Sequence, residues 1–193
     1  MSNEHEATDN ALDETAQRLA RYLYDRTAAS KVTARKPLLL SPPDGLDKEP
    51  VRALLDGVGT EEAHASMSRI AETEGKKDTY YYDADIMTKH YAEIDALLED
   101  KDMLRTIATV TRSDSKLYPR PTQFSKLMDV PFRFSTDEIL GVAARMTAEE
   151  EYQDIGVVTA SNGKSGFFSE RFMSRKYAQS LIQQIEVDDP ENP

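Results

Sequence analysis

Apolar residues recur at helical spacing at Leu12, Ala16, Leu19 and Leu23, which predicts a first helix that ends before Ser30, with Asp9 or Asn10 capping its exposed amides. Between Lys31 and Asp47 the prolines Pro37, Pro42 and Pro43 remove backbone donors and fix φ, so the apolar run Leu38, Leu39, Leu40 is expected to be extended. Asp47 reads as the cap of a short helix carrying Val51, Leu54 and Leu55, broken by Gly57 and Gly59. Tyr80, Tyr81 and Tyr82 then read as a strand. Thr88 caps a helix over Lys89 to Glu99, with Tyr91, Ile94 and Leu98 on one face.

The second half is patterned more sharply. Met103 to Arg112 places Leu104, Ile107 and Ala108 at helical spacing, and a short helix is expected around Gln123 to Met128. Ser135 with Glu138 three residues on is a capping box, opening a helix with Ile139, Val142, Ala143 and Met146 as its buried stripe. Ile155 to Thr159 is β-branched, Asn162-Gly163 is a tight-turn signal and Phe167-Phe168 form the returning strand of a hairpin. Ser174 caps a last helix with Tyr177, Ala178, Leu181, Ile182 and Ile185 on its apolar face.

The two halves resemble each other. Met87, Tyr91 and Ala92 align with Met173, Tyr177 and Ala178, and the cap Asp47 aligns with the cap Ser135. Upstream, Lys31 and Arg35 align with Lys116 and Arg120. The expected fold class is therefore α+β, a tandem duplication of a helix, β-hairpin and helix module with helices on one side of a small antiparallel sheet. The expected divisions are a disordered acidic start over 1–9, a first module over 10–100, a second over 101–187 and an acidic tail over 188–193. The element order of the second module is winged-helix-like, and two such units would share contacts as a pseudo-dimer.

Composition narrows the functions. The chain of 193 residues carries 24 basic and 35 acidic side chains, a net charge of −11, which opposes binding to nucleic acid or anionic membranes. Asp137, Glu138, Glu149, Glu150 and Glu151 around a single Arg145 give the would-be recognition helix the wrong sign for DNA. Cysteine is absent, which removes disulfides, thiolate zinc sites and clusters ligated by this chain. No run of eighteen apolar residues occurs, and the polar start is unlike a secretion signal, so a cytoplasmic protein is expected.

Catalytic patterns do not assemble. Gly163-Lys164-Ser165 lacks the first glycine of a phosphate-binding loop, and no Gly-x-Ser-x-Gly elbow occurs. His90 with Glu93 makes one half of a metal site without a second, so no metal and no cofactor is expected, and the chain reads as a non-enzyme. The segment Lys116-Leu117-Tyr118-Pro119-Arg120-Pro121-Thr122 stands apart, because two prolines hold Arg120 in a stiff, extended chain next to an aromatic ring. Lys116, Tyr118 and Arg120, with Lys31 and Arg35, are the candidate residues for an anion or an acidic partner surface; the bland alternative is that Arg120 pairs with an internal carboxylate.

The combination Tyr80-Tyr81-Tyr82, Tyr118-Pro119-Arg120-Pro121-Thr122, Tyr152-Gln153-Asp154-Ile155 and Tyr177-Ala178 resembles the YdhW family, small bacterial proteins of an oxidoreductase system, over most of the chain from about Pro37 onward. The resemblance implies a companion of tungsten- or molybdenum-pterin aldehyde oxidoreductases and their ferredoxin-like subunits in anaerobic bacteria, and it transfers no catalytic residue. The function expected is a non-enzymatic accessory or interaction protein of such a system. The alternatives are a sensor that binds a small anion between the halves and, less favoured by charge, a DNA-binding regulator.

Overall fold

A computed structural model of the chain describes residues 2–189, with side chains from Asn10 onward. The expected disordered start and most of the acidic tail fall on residues outside the described side chains. Two compact units divide the chain, Met1–Asp100 and Lys101–Pro193. Unit 1 contains α1 (Ser2–Ala28), β1 (Thr33–Ala34), α2 (Arg35–Leu40), α3 (Lys48–Asp56), β2 (Ile70–Glu74), β3 (Thr79–Asp83) and α4 (Lys89–Glu99). Unit 2 repeats that order with α5 (Met103–Leu117), β4 (Thr122–Gln123), α6 (Phe124–Met128), α7 (Thr136–Met146), β5 (Ile155–Thr159), β6 (Ser165–Ser169) and α8 (Arg175–Gln183). Each unit has a three-stranded antiparallel sheet in which the first strand pairs with the last, β1-β3-β2 and β4-β6-β5. The fold is α+β, and in both units the connectivity is that of a winged helix followed by one further helix.

Strand register fixes which residues correspond. Thr33 lies opposite Tyr81, and Thr122 lies opposite Phe167. The Asp83 amide donates to Thr27 Oγ1 at 3.0 Å, and the Ser169 amide donates to Ser115 Oγ at 3.1 Å. Thr27 therefore corresponds to Ser115, Thr33 to Thr122, and Arg35, the first residue of α2, to Phe124, the first of α6. The upstream part of the sequence self-alignment, which matched Lys31 and Arg35 to Lys116 and Arg120, is corrected by about one helical turn. A slip of three residues along an amphipathic helix leaves apolar residues on the same face, so pattern alone does not resolve it.

Two further expectations change. The segment around Leu38 is helical rather than extended, because Pro37 stands in the first turn of α2, where its missing N–H costs nothing; Pro42 and Pro43 follow the helix instead of breaking it. The helices also cover both faces of each sheet, not one. β3 and β6 are buried at four consecutive positions, so neither strand has a wet face. Tyr81 packs with Leu19, Leu23 and Leu55 of α1 and α3, while Tyr80 and Tyr82 pack with Ala92 and Ala96 of α4. In unit 2, Phe167 packs with Ile107, Leu127 and Ile139, and Phe168 with Ala178 and Ile182 of α8. Complete burial of one such ring stabilises by about 2–3 kcal/mol.

Local signals fall where the chain pattern put them in unit 2. Ser135 and Glu138 form the reciprocal capping box, and Gly163 takes φ of +86° in the turn between β5 and β6. Ser174 and Thr88 cap α8 and α4 through their hydroxyls. The apolar faces of those two helices are rotated from expectation. Ala92 and Ala178 are fully buried, whereas Tyr91 is 65% and Tyr177 49% exposed. Asn10 lies inside α1 rather than at its cap.

Candidate functional site

The end of α5 delivers the residues singled out by sequence. Lys116 stands in its last turn, where a cation complements the helix dipole, and Pro119 cannot continue the helix beyond the C-cap Tyr118. Leu117 is 60% and Tyr118 62% exposed, apolar surface left to solvent at the end of α5. The Arg120 guanidinium lies over the Tyr118 ring at 5.5 Å and makes no ion pair among the described residues, so the pairing with an internal carboxylate is not seen. Lys116 Nζ lies 5.9 Å from the centroid of the Phe172 ring, itself 43% exposed at the turn between β6 and α8. The end of α5 and the segment after it thus expose two basic and aromatic pairs on unit 2, Lys116 with Phe172 and Arg120 with Tyr118, beside the exposed Leu117. Phe172 escapes sequence reasoning because it is distant along the chain and aligns only with Ile86.

Among the described residues unit 1 shows no equivalent. The residues that follow Thr27 there are Ala28, Ala29 and Ser30, against Lys116, Leu117 and Tyr118 after Ser115. Lys31 is exposed. Arg35 is engaged inside its own unit: it donates to Tyr81 Oη at 2.6 Å and pairs with Asp56. Burial lowers the Arg35 proton affinity, and the bonds to Asp56 and Tyr81 outweigh it, so the guanidinium stays charged.

Buried polar groups differ between the units. In unit 2, Asp114 accepts from Thr122 Oγ1 at 2.8 Å and from Lys126 Nζ at 2.7 Å. Correspondence of Thr27 with Ser115 and of Thr33 with Thr122 places Arg26 where unit 2 has Asp114, and Pro37 where it has Lys126. Arg26 Nε and Thr33 Oγ1 are buried without a hydrogen-bond partner. Both residues line a cleft of about 350 Å³, walled also by Tyr22, Pro37, Leu38 and Tyr80. Tyr80 turns its hydroxyl to Asp100 at 2.7 Å, and burial followed by that bond to a carboxylate drives its pKa well up.

At the root of each hairpin a second polar position changes character. Arg69 Nε lies 2.9 Å from the wholly buried Asp83 in unit 1. In unit 2, Asp154 precedes β5 as Arg69 precedes β2, and it accepts from Arg112, from Ser169 at 2.7 Å and lies 3.2 Å from Arg171. Burial alone would raise the Asp154 carboxyl, but the hydrogen bonds of Arg112 and Ser169 and the two guanidinium charges hold it below the usual carboxylate range.

The remaining motifs resolve into structure. Lys164 of the Gly-Lys-Ser run reaches Glu186 at 2.9 Å and ties the hairpin turn to the π-helical turn Gln184–Asp188. His64 Nδ1 accepts from the Ser66 amide at 3.2 Å. Among the described residues no group of three or more His, Asp or Glu is placed to hold a metal ion, and no helix is long and apolar enough to cross a membrane.

Comparison with known proteins agrees with this division. The model of the YdhW C-terminal domain matches residues 101–190, which is unit 2 almost end to end. No solved structure matches the chain. An Escherichia coli (strain K12) protein described as "Uncharacterized protein YdhW" is 34% identical over 180 residues, covering 93% of this chain and 82% of that protein. Identity sustained across both units, beyond the C-terminal domain alone, makes this chain a member of the YdhW family.

Proposed function

We propose that the protein is a non-enzymatic docking component, in which unit 2 binds a partner protein through Lys116, Leu117, Tyr118, Arg120 and Phe172. One observation carries the reading: this face is exposed, apolar and basic on a chain of net charge −11, and unit 1, with the same fold, does without it. Folding therefore does not require it. Aromatic and arginine side chains are the groups that dominate protein interfaces, and an arginine stacked on a ring loses little freedom when it meets a carboxylate. The partner surface that fits is apolar at its centre and ringed by carboxylates. In the setting implied by the sequence resemblance, that partner is a subunit of an anaerobic oxidoreductase system, pterin-dependent or ferredoxin-like.

The test is affinity purification of the tagged chain from its anaerobically grown host, beside Tyr118→Ser/Arg120→Glu. Recovery of an oxidoreductase subunit with the unaltered protein and its loss with the double variant supports the reading. Recovery of no such subunit, or equal recovery with both, contradicts it.

A further inference from the structure

We propose that the cleft of unit 1 is a binding site for a small organic monocarboxylate with an apolar body. It goes beyond the docking role and uses none of the same residues. Three observations converge on it. The cleft, about 350 Å³, lies in the size range of small-molecule sites, and its walls include Tyr22, Leu38, Pro37 and the ring of Tyr80. Two polar atoms of that wall are unpaired: the buried hydroxyl of Thr33, a residue only 6% exposed, and the Nε–H of Arg26, whose Nη2 donates to the Val32 carbonyl at 3.5 Å. A buried donor left unpaired has given up its hydration for nothing, so the fold holds these donors at a cost that an acceptor would relieve.

Unit 2 identifies the acceptor. There the threonine corresponding to Thr33 donates a hydrogen bond from its hydroxyl to a carboxylate, that of Asp114, and Lys126 completes the charge balance. Unit 1 lacks both the internal carboxylate and its ammonium counterion, since Arg26 and Pro37 occupy those places. A ligand carboxylate would restore the same bond from outside, with one oxygen accepting from Thr33 Oγ1 and the other from Arg26 Nε. The acidic groups beside Arg26 are Asp95, already accepting from the Val32 amide at 2.7 Å, and the exposed Glu99, which itself lines the cleft. Their presence favours a single negative charge over a phosphate dianion. The aromatic and aliphatic walls call for a branched or aromatic body.

Titration calorimetry of the full chain with acetate, isobutyrate, benzoate, benzamide and inorganic phosphate tests the assignment. Benzoate or isobutyrate should bind at least tenfold more tightly than benzamide or phosphate. Thr33→Val, which keeps the side-chain volume, and Arg26→Leu should each weaken that binding tenfold or more, while Arg120→Ala leaves it unchanged. Absence of binding by all three carboxylates, equal binding of benzoate and benzamide, tighter binding of phosphate, or unchanged affinity in Thr33→Val overturns the proposal.

Discussion

Unit 1 and unit 2 follow the same path and differ in how their buried polar groups are matched. In unit 2, Thr122, Asp114 and Lys126 satisfy one another, and Asp154 is held by Arg112, Ser169 and Arg171. In unit 1, Arg26 and Thr33 stand at the first of these places, with Arg26 Nε and Thr33 Oγ1 unpaired. The same backbone therefore accepts opposite charge at one interior position, provided the apolar layers on both faces of the sheet persist. Fold is set by those layers, and the polar positions between them are free to acquire separate roles.

The largest effect should come from the layer shared by both units. Phe167→Ala removes a fully buried ring and should cost about 3–5 kcal/mol, read by urea unfolding. Its counterpart Tyr81→Phe keeps the ring and loses only the bond from Arg35, so about 1–2 kcal/mol is expected. Equal losses would break the correspondence. Next, Asp114→Ala strands the buried Thr122 hydroxyl and leaves Lys126 unpaired; with Lys126 partly exposed, about 2 kcal/mol is expected. Arg26→Leu, at the matching place, should change the stability of the ligand-free protein far less.

Acid should act in opposite directions on one carboxylate of each unit. The Asp154 carboxyl is held below its unfolded value of about 4, so its contribution is complete above that pH and is lost as pH falls through the folded value. Asp95 in unit 1 is raised, chiefly by burial, so its contribution is present at low pH and is lost as pH rises through its folded value. Unfolding followed by unit-resolved amide signals at about pH 6 and about pH 3 should show unit 2 losing stability, with Asp154→Asn flattening the change. The smallest difference concerns the caps. Ser135→Ala should cost about 1 kcal/mol, and Asp47→Ala, at the aligned cap that makes no side-chain bond, a few tenths at most.

Much of this architecture was legible along the chain where one signal had one meaning. The Ser135–Glu138 box, the Asn162-Gly163 turn and the β-branched run at Ile155 each specify a local geometry, and each stands where it was expected. Signals with two physical outcomes misled. Pro37 excludes a helix interior and equally suits a first turn. Tyr91 and Tyr177 continue a helical apolar pattern, yet alanines pack closest to the aromatic sheet face and the tyrosines point outward. Of the site residues, Lys116, Tyr118 and Arg120 were visible because two prolines and a ring are unusual around a cation in an acidic chain. Arg35 looked comparable until its bonds to Tyr81 and Asp56 were known. The cleft had no sequence signal, since an unpaired donor is a property of the folded arrangement.

Arginine Nε–Hε resonances report directly on the unmatched donor of Arg26 in unit 1. In a carboxylate titration followed by nitrogen–proton correlation spectra, the Arg26 signal, assigned through Arg26→Lys, should move downfield with saturation. The Arg112 signal, whose Nε already donates to Asp154, should stay in place. A stationary Arg26 signal, or equal movement of both, would show that unit 1 holds no donors open to a ligand carboxylate where unit 2 is internally closed.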